Sequence, residues 1–102
     1  MKNDNPLEKT IEKKVCDYAK SKGCIHYKFL SDNCRGVPDR IIITLAGDVL
    51  FVEFKRKGKK LTPLQKVHRD KIQNNMGMYY MIDWINAFRD EDEILGLTIY
   101  KV

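Results

Sequence analysis

The chain has 102 residues, 43% hydrophobic and 32% charged, with a net charge of +5. That size and composition suit one globular domain over residues 1–102. They exclude a membrane-spanning helix, since no run of about 18 apolar residues occurs. The charged stretch Met1–Glu12 lacks the apolar centre of a secretion signal, so a cytoplasmic protein is expected. Cys16, Cys24 and Cys34 form no C-x-x-C pair, and His26 and His68 are far apart, so reduced thiols are expected rather than a zinc site.

The first predicted element is a helix. Asn5 serves as N-cap, Pro6 as the first helical residue and Glu8 as the capping-box acid. Leu7, Ile11, Val15 and Tyr18 form one apolar side, and Gly23 ends the helix. Cys24–Phe29 reads as a strand, and Leu30–Pro38 as a polar loop. Asp39–Leu45 and Val49–Lys55 read as a hairpin joined by Ala46-Gly47-Asp48. Their apolar runs, Ile41-Ile42-Ile43 and Val49-Leu50-Phe51-Val52, predict burial on both faces in the middle of a sheet. A basic loop, Lys55–Leu61, leads to Thr62-Pro63-Leu64-Gln65, a capping box that opens a second helix. Leu64, Val67, Ile72 and Met76 give that helix its apolar side, and Gly77 is expected to end it. Met78–Ile82 reads as a strand, Asp83–Arg89 as a short helix and Leu97–Val102 as a last strand or tail. No internal repeat or linker interrupts this α-β-β-β-α-β order.

A three-residue hairpin loop would pair Leu45 with Val49 and set Asp39 opposite Lys55. Residues two apart on a strand share a face, so Asp39, Glu53 and Lys55 would project from one side. A one-residue slip would remove Asp39 from the group. Paired carboxylates are hard oxygen ligands suited to Mg²⁺, which can bridge to a phosphate, and an ammonium beside them can stabilise transition-state charge. The same residues also read as a Pro-Asp turn followed by a Glu-x-Lys strand pair, and the residues alone leave both readings open. Between Lys55 and Lys71, eight basic residues (Lys55, Arg56, Lys57, Lys59, Lys60, Lys66, Arg69, Lys71) face one acid, Asp70. Such a stretch suits a polyanion, or is a solvated lysine loop.

Gly36-Val37-Pro38-Asp39-Arg40, Phe51-Val52-Glu53-Phe54-Lys55 and Leu61-Thr62-Pro63-Leu64-Gln65 occur in that order. Together they resemble the VRR-NUC branch of the PD-(D/E)XK nucleases, over about Glu8 to Phe88. The resemblance implies a restriction-endonuclease-like α/β core with a mixed central sheet flanked by helices. It implies that Asp39, Glu53 and the Phe54 carbonyl hold Mg²⁺ or Mn²⁺, that Lys55 is the catalytic lysine, and that Gln65 stands at the site. A first-helix glutamate would complete it, with Glu8 favoured over Glu12. The implied activity is metal-dependent, structure-selective DNA cleavage by a homodimer, resolving Holliday (four-way) junctions in repair, recombination or phage replication inside a bacterial or phage-infected cell. Alternatives are nicking or flap cutting, or an inactive DNA-binding module. Lys28, Arg35, Arg56, Lys57, Lys59 and Lys60 are the expected DNA contacts. Met76, Met78, Tyr79, Tyr80 and Trp84 form a candidate dimer surface or ordinary core.

Overall fold

A computed structural model describes residues 7–30 and 34–83. Its elements are α1 (Glu8–Ser21), β1 (Ile25–Lys28), β2 (Arg40–Ile43), β3 (Val49–Phe54), α2 (Pro63–Asn74) and β4 (Met78–Ile82). The expected α-β-β-β-α-β order is therefore present. The sheet runs β1-β2-β3-β4, with β1–β2 and β2–β3 antiparallel and β3–β4 parallel. A parallel pair needs a long crossover, and α2 supplies it. Apart from Asp83, the helix expected at Asp83–Arg89 lies outside the described residues, as does the tail expected at Leu97–Val102.

The core lies between α1 and one face of the sheet. Ile11, Val15 and Ala19 recur at helical spacing, and all are fully buried against Ile42, Leu50, Val52, Phe54 and Ile82. The expected N-cap at Asn5 is corrected. The cap residue is Leu7, with no side-chain cap bond, and Glu8 is the first helical residue. Glu8 therefore has no capping-box role.

The hairpin register also departs from expectation. Ile43 pairs with Val49 and Arg40 with Val52, so Asp39 comes opposite Glu53 rather than Lys55. The cause is Thr44. Its N–H donates to the Asp48 carbonyl at 3.0 Å, its carbonyl accepts from the Gly47 N–H at 2.9 Å, and its Oγ1 accepts from the Asp48 N–H at 3.1 Å. This closes a five-residue loop, Thr44–Asp48, and leaves Leu45 outside the ladder. The partner shifts by two residues, and a strand repeats every two, so each side chain keeps its face.

Burial on both faces is not observed. The face opposite α1 carries Ile41, Ile43 and Phe51, all only half-buried. On that side α2 packs against β4 and buries none of its own residues completely. Leu64 and Val67 remain 45% exposed. The end of α2 is also corrected. Met76, not Gly77, adopts the left-handed backbone (φ 65°), and the Gly77 N–H donates to the Ile72 carbonyl at 2.8 Å. A Cβ on Gly77 would lie 2.5 Å from Ile72 Cγ2, so glycine is needed there for close approach. Along β4, Met78 and Tyr80 pack on the α1 core while Tyr79 and Met81 alternate to the other side. The expected dimer cluster is thus divided between two faces, and Trp84 lies outside the described residues.

Candidate active site

Asp39 precedes β2 and is held from both ends. Its carbonyl accepts from the Phe29 N–H at 3.0 Å, and its Oδ2 accepts from the Phe54 N–H at 2.9 Å. Opposite it on β3, Glu53 is 3% exposed. Glu53 Oε2 accepts from Gln65 Nε2 at 3.2 Å, while the buried Oε1 has no partner among the described residues.

Gln65 is fixed by the cap of α2. Its N–H donates to Thr62 Oγ1 at 3.2 Å, and its Oε1 accepts from the Thr62 N–H at 2.9 Å. Both halves of the capping box are therefore made, and the amide nitrogen is left to hold Glu53. One side chain caps a helix and orients a carboxylate. Lys55 follows β3, with its N–H donating to the Ile82 carbonyl at 2.9 Å, and is half-buried.

The electrostatics follow from that burial. Loss of solvent, then the adjacent Asp39 carboxyl, push the Glu53 acid up from 4.5 to about 8. Lys55 pulls the other way, and Glu8 adds a smaller upward push. Burial first, then Glu53 and Asp39, raise the Tyr79 phenol, while Arg69 opposes them. Tyr79 is thus electrostatically coupled to the two carboxylates and to Arg69, and its hydroxyl has no partner among the described residues. Two adjacent carboxyls, one with an orphaned buried oxygen, fit a hard cation whose charge would offset theirs. Among the described residues no group of three or more Cys, His, Asp and Glu side chains gathers for a metal.

The two first-helix glutamates part company. Glu12 pairs with Arg40 Nε, and Lys28 Nζ lies 3.9 Å away. Arg40 Nη1 lies 3.3 Å from His26 Nδ1, so this network occupies the α1 face of the sheet. Lys28 is thereby grouped with Glu12 and not with the loop lysines. Glu8 is exposed and, among the described residues, enters no such network. Lys57, Lys59 and Lys60 are exposed on the turn after β3, Arg56 is half-buried there, and Arg35 is exposed before Gly36. That segment docks on α2. Cys34 Sγ lies 3.5 Å from His68 Nε2, and Gly36 (φ 82°) sits against Leu64. Pro38 is fully buried next to Asp39.

Comparison with solved structures places the fold. A chain described as "VRR_NUC domain" superposes with a TM-score of 0.76 over 86% of this chain and 92% of its own, at 20% identity. The chain has the fold of a VRR_NUC domain. The fold that the three motifs implied, an α/β core with a mixed central sheet, is thereby borne out. The protein is also 45% identical over 58 residues to "Putative nuclease p44" of Acyrthosiphon pisum secondary endosymbiont phage 1. That match spans 57% of this chain and 62% of the phage protein. No family model matches the sequence. Among the described residues, no helix is long and apolar enough to cross a membrane.

Sequence reasoning did not connect Tyr79 or Arg69 with the two carboxyls. For Arg69 a signal existed. It lies four residues after Gln65, hence on the same side of α2.

Proposed function

We propose that the protein is a metal-dependent, structure-selective DNA endonuclease. The observation that carries this is Glu53, buried opposite Asp39, anchored by Gln65 through one oxygen and unpartnered at the other. A carboxyl placed so is costly as packing and well suited to cation binding. Nuclease chemistry is further supported by the VRR_NUC fold and by the phage relative.

Asp39 and Glu53 would hold Mg²⁺ or Mn²⁺. The N–H and C=O of a strand residue point to the same side, and the Phe54 N–H meets Asp39, so the Phe54 carbonyl is on the proper side to join them. Glu8 is the first-helix glutamate for this role, because Glu12 is occupied by Arg40 and Lys28. When bound, the cation supplies an acidified water and offsets phosphoryl charge. Gln65 keeps Glu53 in one orientation. Lys55, on the same side of β3 as Glu53, stabilises negative charge building on the phosphate. Arg56, Lys57, Lys59 and Lys60 neutralise flanking phosphates, which positions DNA without reading its sequence.

The substrate is a branched DNA, a four-way junction, cut by a homodimer in a bacterial or phage-infected cell. A junction offers two symmetric scissile bonds, and a twofold dimer carries two matching sites. Ile25 and Tyr27, both exposed, adjoin Ile41 and Ile43 on the face left open by α2, and this apolar surface would take the second copy.

The test is cleavage of a labelled four-way junction beside matched linear duplex, with EDTA, Mg²⁺ or Mn²⁺, using wild type and Lys55→Ala. Metal-dependent cutting of the junction, lost in Lys55→Ala, is expected. Equal cutting of every substrate would keep the nuclease and remove the junction preference. Tight, salt-sensitive binding with no turnover would replace catalysis by a DNA-binding role.

A further inference from the structure

A groove of about 350 Å³ runs between α2 and β4. Lys60, Lys66 and Arg69 line it with positive charge, and Leu61, Tyr79 and Met81 give it an apolar and aromatic lining. Among the described residues, no acidic side chain lines it. The ion-pair partner of Arg69 is Asp70, at 3.1 Å and the more exposed of the two.

The groove lies beside the carboxylate site across the β3–β4 register. Met81 pairs in register with Glu53, and Tyr79 shares the Met81 side of β4. Arg69 lies one helical turn beyond Gln65, whose amide holds Glu53. Cations beside an aromatic surface are the combination that binds a nucleic-acid strand, with phosphate on the cations and the base stacked on the ring. A fully stacked duplex offers no free base face, whereas an unpaired nucleotide does.

We propose that this groove takes one unpaired nucleotide flanking the scissile phosphate, with its phosphate on Lys66 and Arg69 and its base on Tyr79. The proposal rests on the nuclease reading for its link to the cut, and it narrows the substrate class. Branch selectivity then comes from the unstacked nucleotide that a junction, flap or gap supplies and linear duplex lacks.

The test separates binding from cutting. Fluorescence anisotropy of a labelled single strand and of the matched blunt duplex is measured in EDTA across a salt series. Proteins compared are wild type, Lys66→Gln/Arg69→Gln, Tyr79→Leu, Tyr79→Phe and the charge-matched Lys13→Gln/Lys20→Gln on α1, across the sheet. Removing two strand phosphate contacts should reduce the slope of log K against log salt by about 1.4, and the α1 pair should leave it unchanged. Tyr79→Leu should weaken strand binding by about 5- to 150-fold, the range of one lost base stack, with little effect on duplex. Tyr79→Phe keeps the stacking face and should bind as wild type. An unchanged slope in Lys66→Gln/Arg69→Gln would overturn the proposal, as would equal effects on strand and duplex or no strand binding by wild type. Should the wild type bind in this pattern yet cut nothing with Mg²⁺ or Mn²⁺, the nuclease reading alone fails.

Discussion

Replacing Glu53 by glutamine should abolish most of a steep pH dependence in the stability of the metal-free protein. In the fold the Glu53 acid stands at about 8, against 4.5 for an unburied glutamate. Below pH 4.5 both folded and unfolded chains hold this proton, and its contribution to folding is fully present. Between pH 4.5 and 8 the unfolded chain has released the proton while the fold retains it, so stability falls as pH rises. At about 1.4 kcal/mol for each pH unit, the loss across this window is about 5 kcal/mol, and above pH 8 the effect levels off. A domain of this size has only about 5–15 kcal/mol of total stability, so the loss is a third or more of it. Glutamine can still accept from Gln65, has nearly the same shape and does not ionise. Urea unfolding followed by circular dichroism in EDTA, from pH 4.5 to 9, compares the two. The gap between them should move by up to about 5 kcal/mol in favour of Glu53→Gln as pH rises. Saturating Mn²⁺ should remove the alkaline loss from wild type alone. Parallel curves for the two proteins would refute the argument, because the only group that distinguishes them would then not be titrating in this window.

Three further outcomes are expected. Gln65→Glu should keep the α2 cap, since glutamate also completes a capping box, but it sets a third carboxyl beside Glu53; Gln65→Ala loses the cap and about 1 kcal/mol with it. Urea unfolding in EDTA should therefore show Gln65→Glu destabilised mainly at high pH and Gln65→Ala at every pH. Gly36→Ala would place a Cβ 2.9 Å from Leu64 Cγ and 3.0 Å from its backbone carbon, in a left-handed conformation. A loss of about 2 kcal/mol should follow, seen as a melting temperature lower by roughly 8 °C or more, and an unchanged melting point would contradict the contact. Glu8→Gln should raise the Mn²⁺ concentration needed for half-maximal cleavage, whereas Glu12→Gln should act on stability by stranding Arg40; the reverse pattern would exchange their roles.

The elements legible in the sequence were those with local causes. The Thr62–Gln65 box and the Met78–Ile82 run depend on residues close in the chain, and both appear where expected. The hairpin register was not legible because it turns on the Thr44 hydroxyl capturing the Asp48 N–H, a choice between loop lengths that apolar patterning cannot make. The face assignment survived because the error was two residues, so Asp39 and Glu53 still meet. Burial of β2 and β3 was overestimated for a related reason. Continuous apolar runs show that both faces tolerate burial, not that an element lies over each, and α2 covers the β4 side of the sheet and leaves Ile25 and Tyr27 exposed.

The same division explains why half of the candidate site was visible in the motifs and half was not. Asp39, Glu53 and Lys55 announce themselves through residue type, since carboxylates and an ammonium at the ends of apolar strands need a reason. Tyr79 and Met81 look like any residues of a buried strand until the parallel β3–β4 register sets them beside Glu53. Glu12 shows the converse. On α1 it differs from Glu8 by one turn, and only the fold reveals that Arg40 and Lys28 already neutralise it on the α1 face. The sheet therefore separates two kinds of charge. On the α1 side, Glu12 and Arg40 satisfy one another and hold α1 to the end of β2. On the α2 side, Glu53 keeps one oxygen that Gln65 does not hold, and Lys66 and Arg69 of α2 line the neighbouring groove. Two carboxyls beside a groove lined by cations suit the metal-assisted phosphodiester cleavage proposed above, and the parallel β3–α2–β4 crossover is what brings the two sets together.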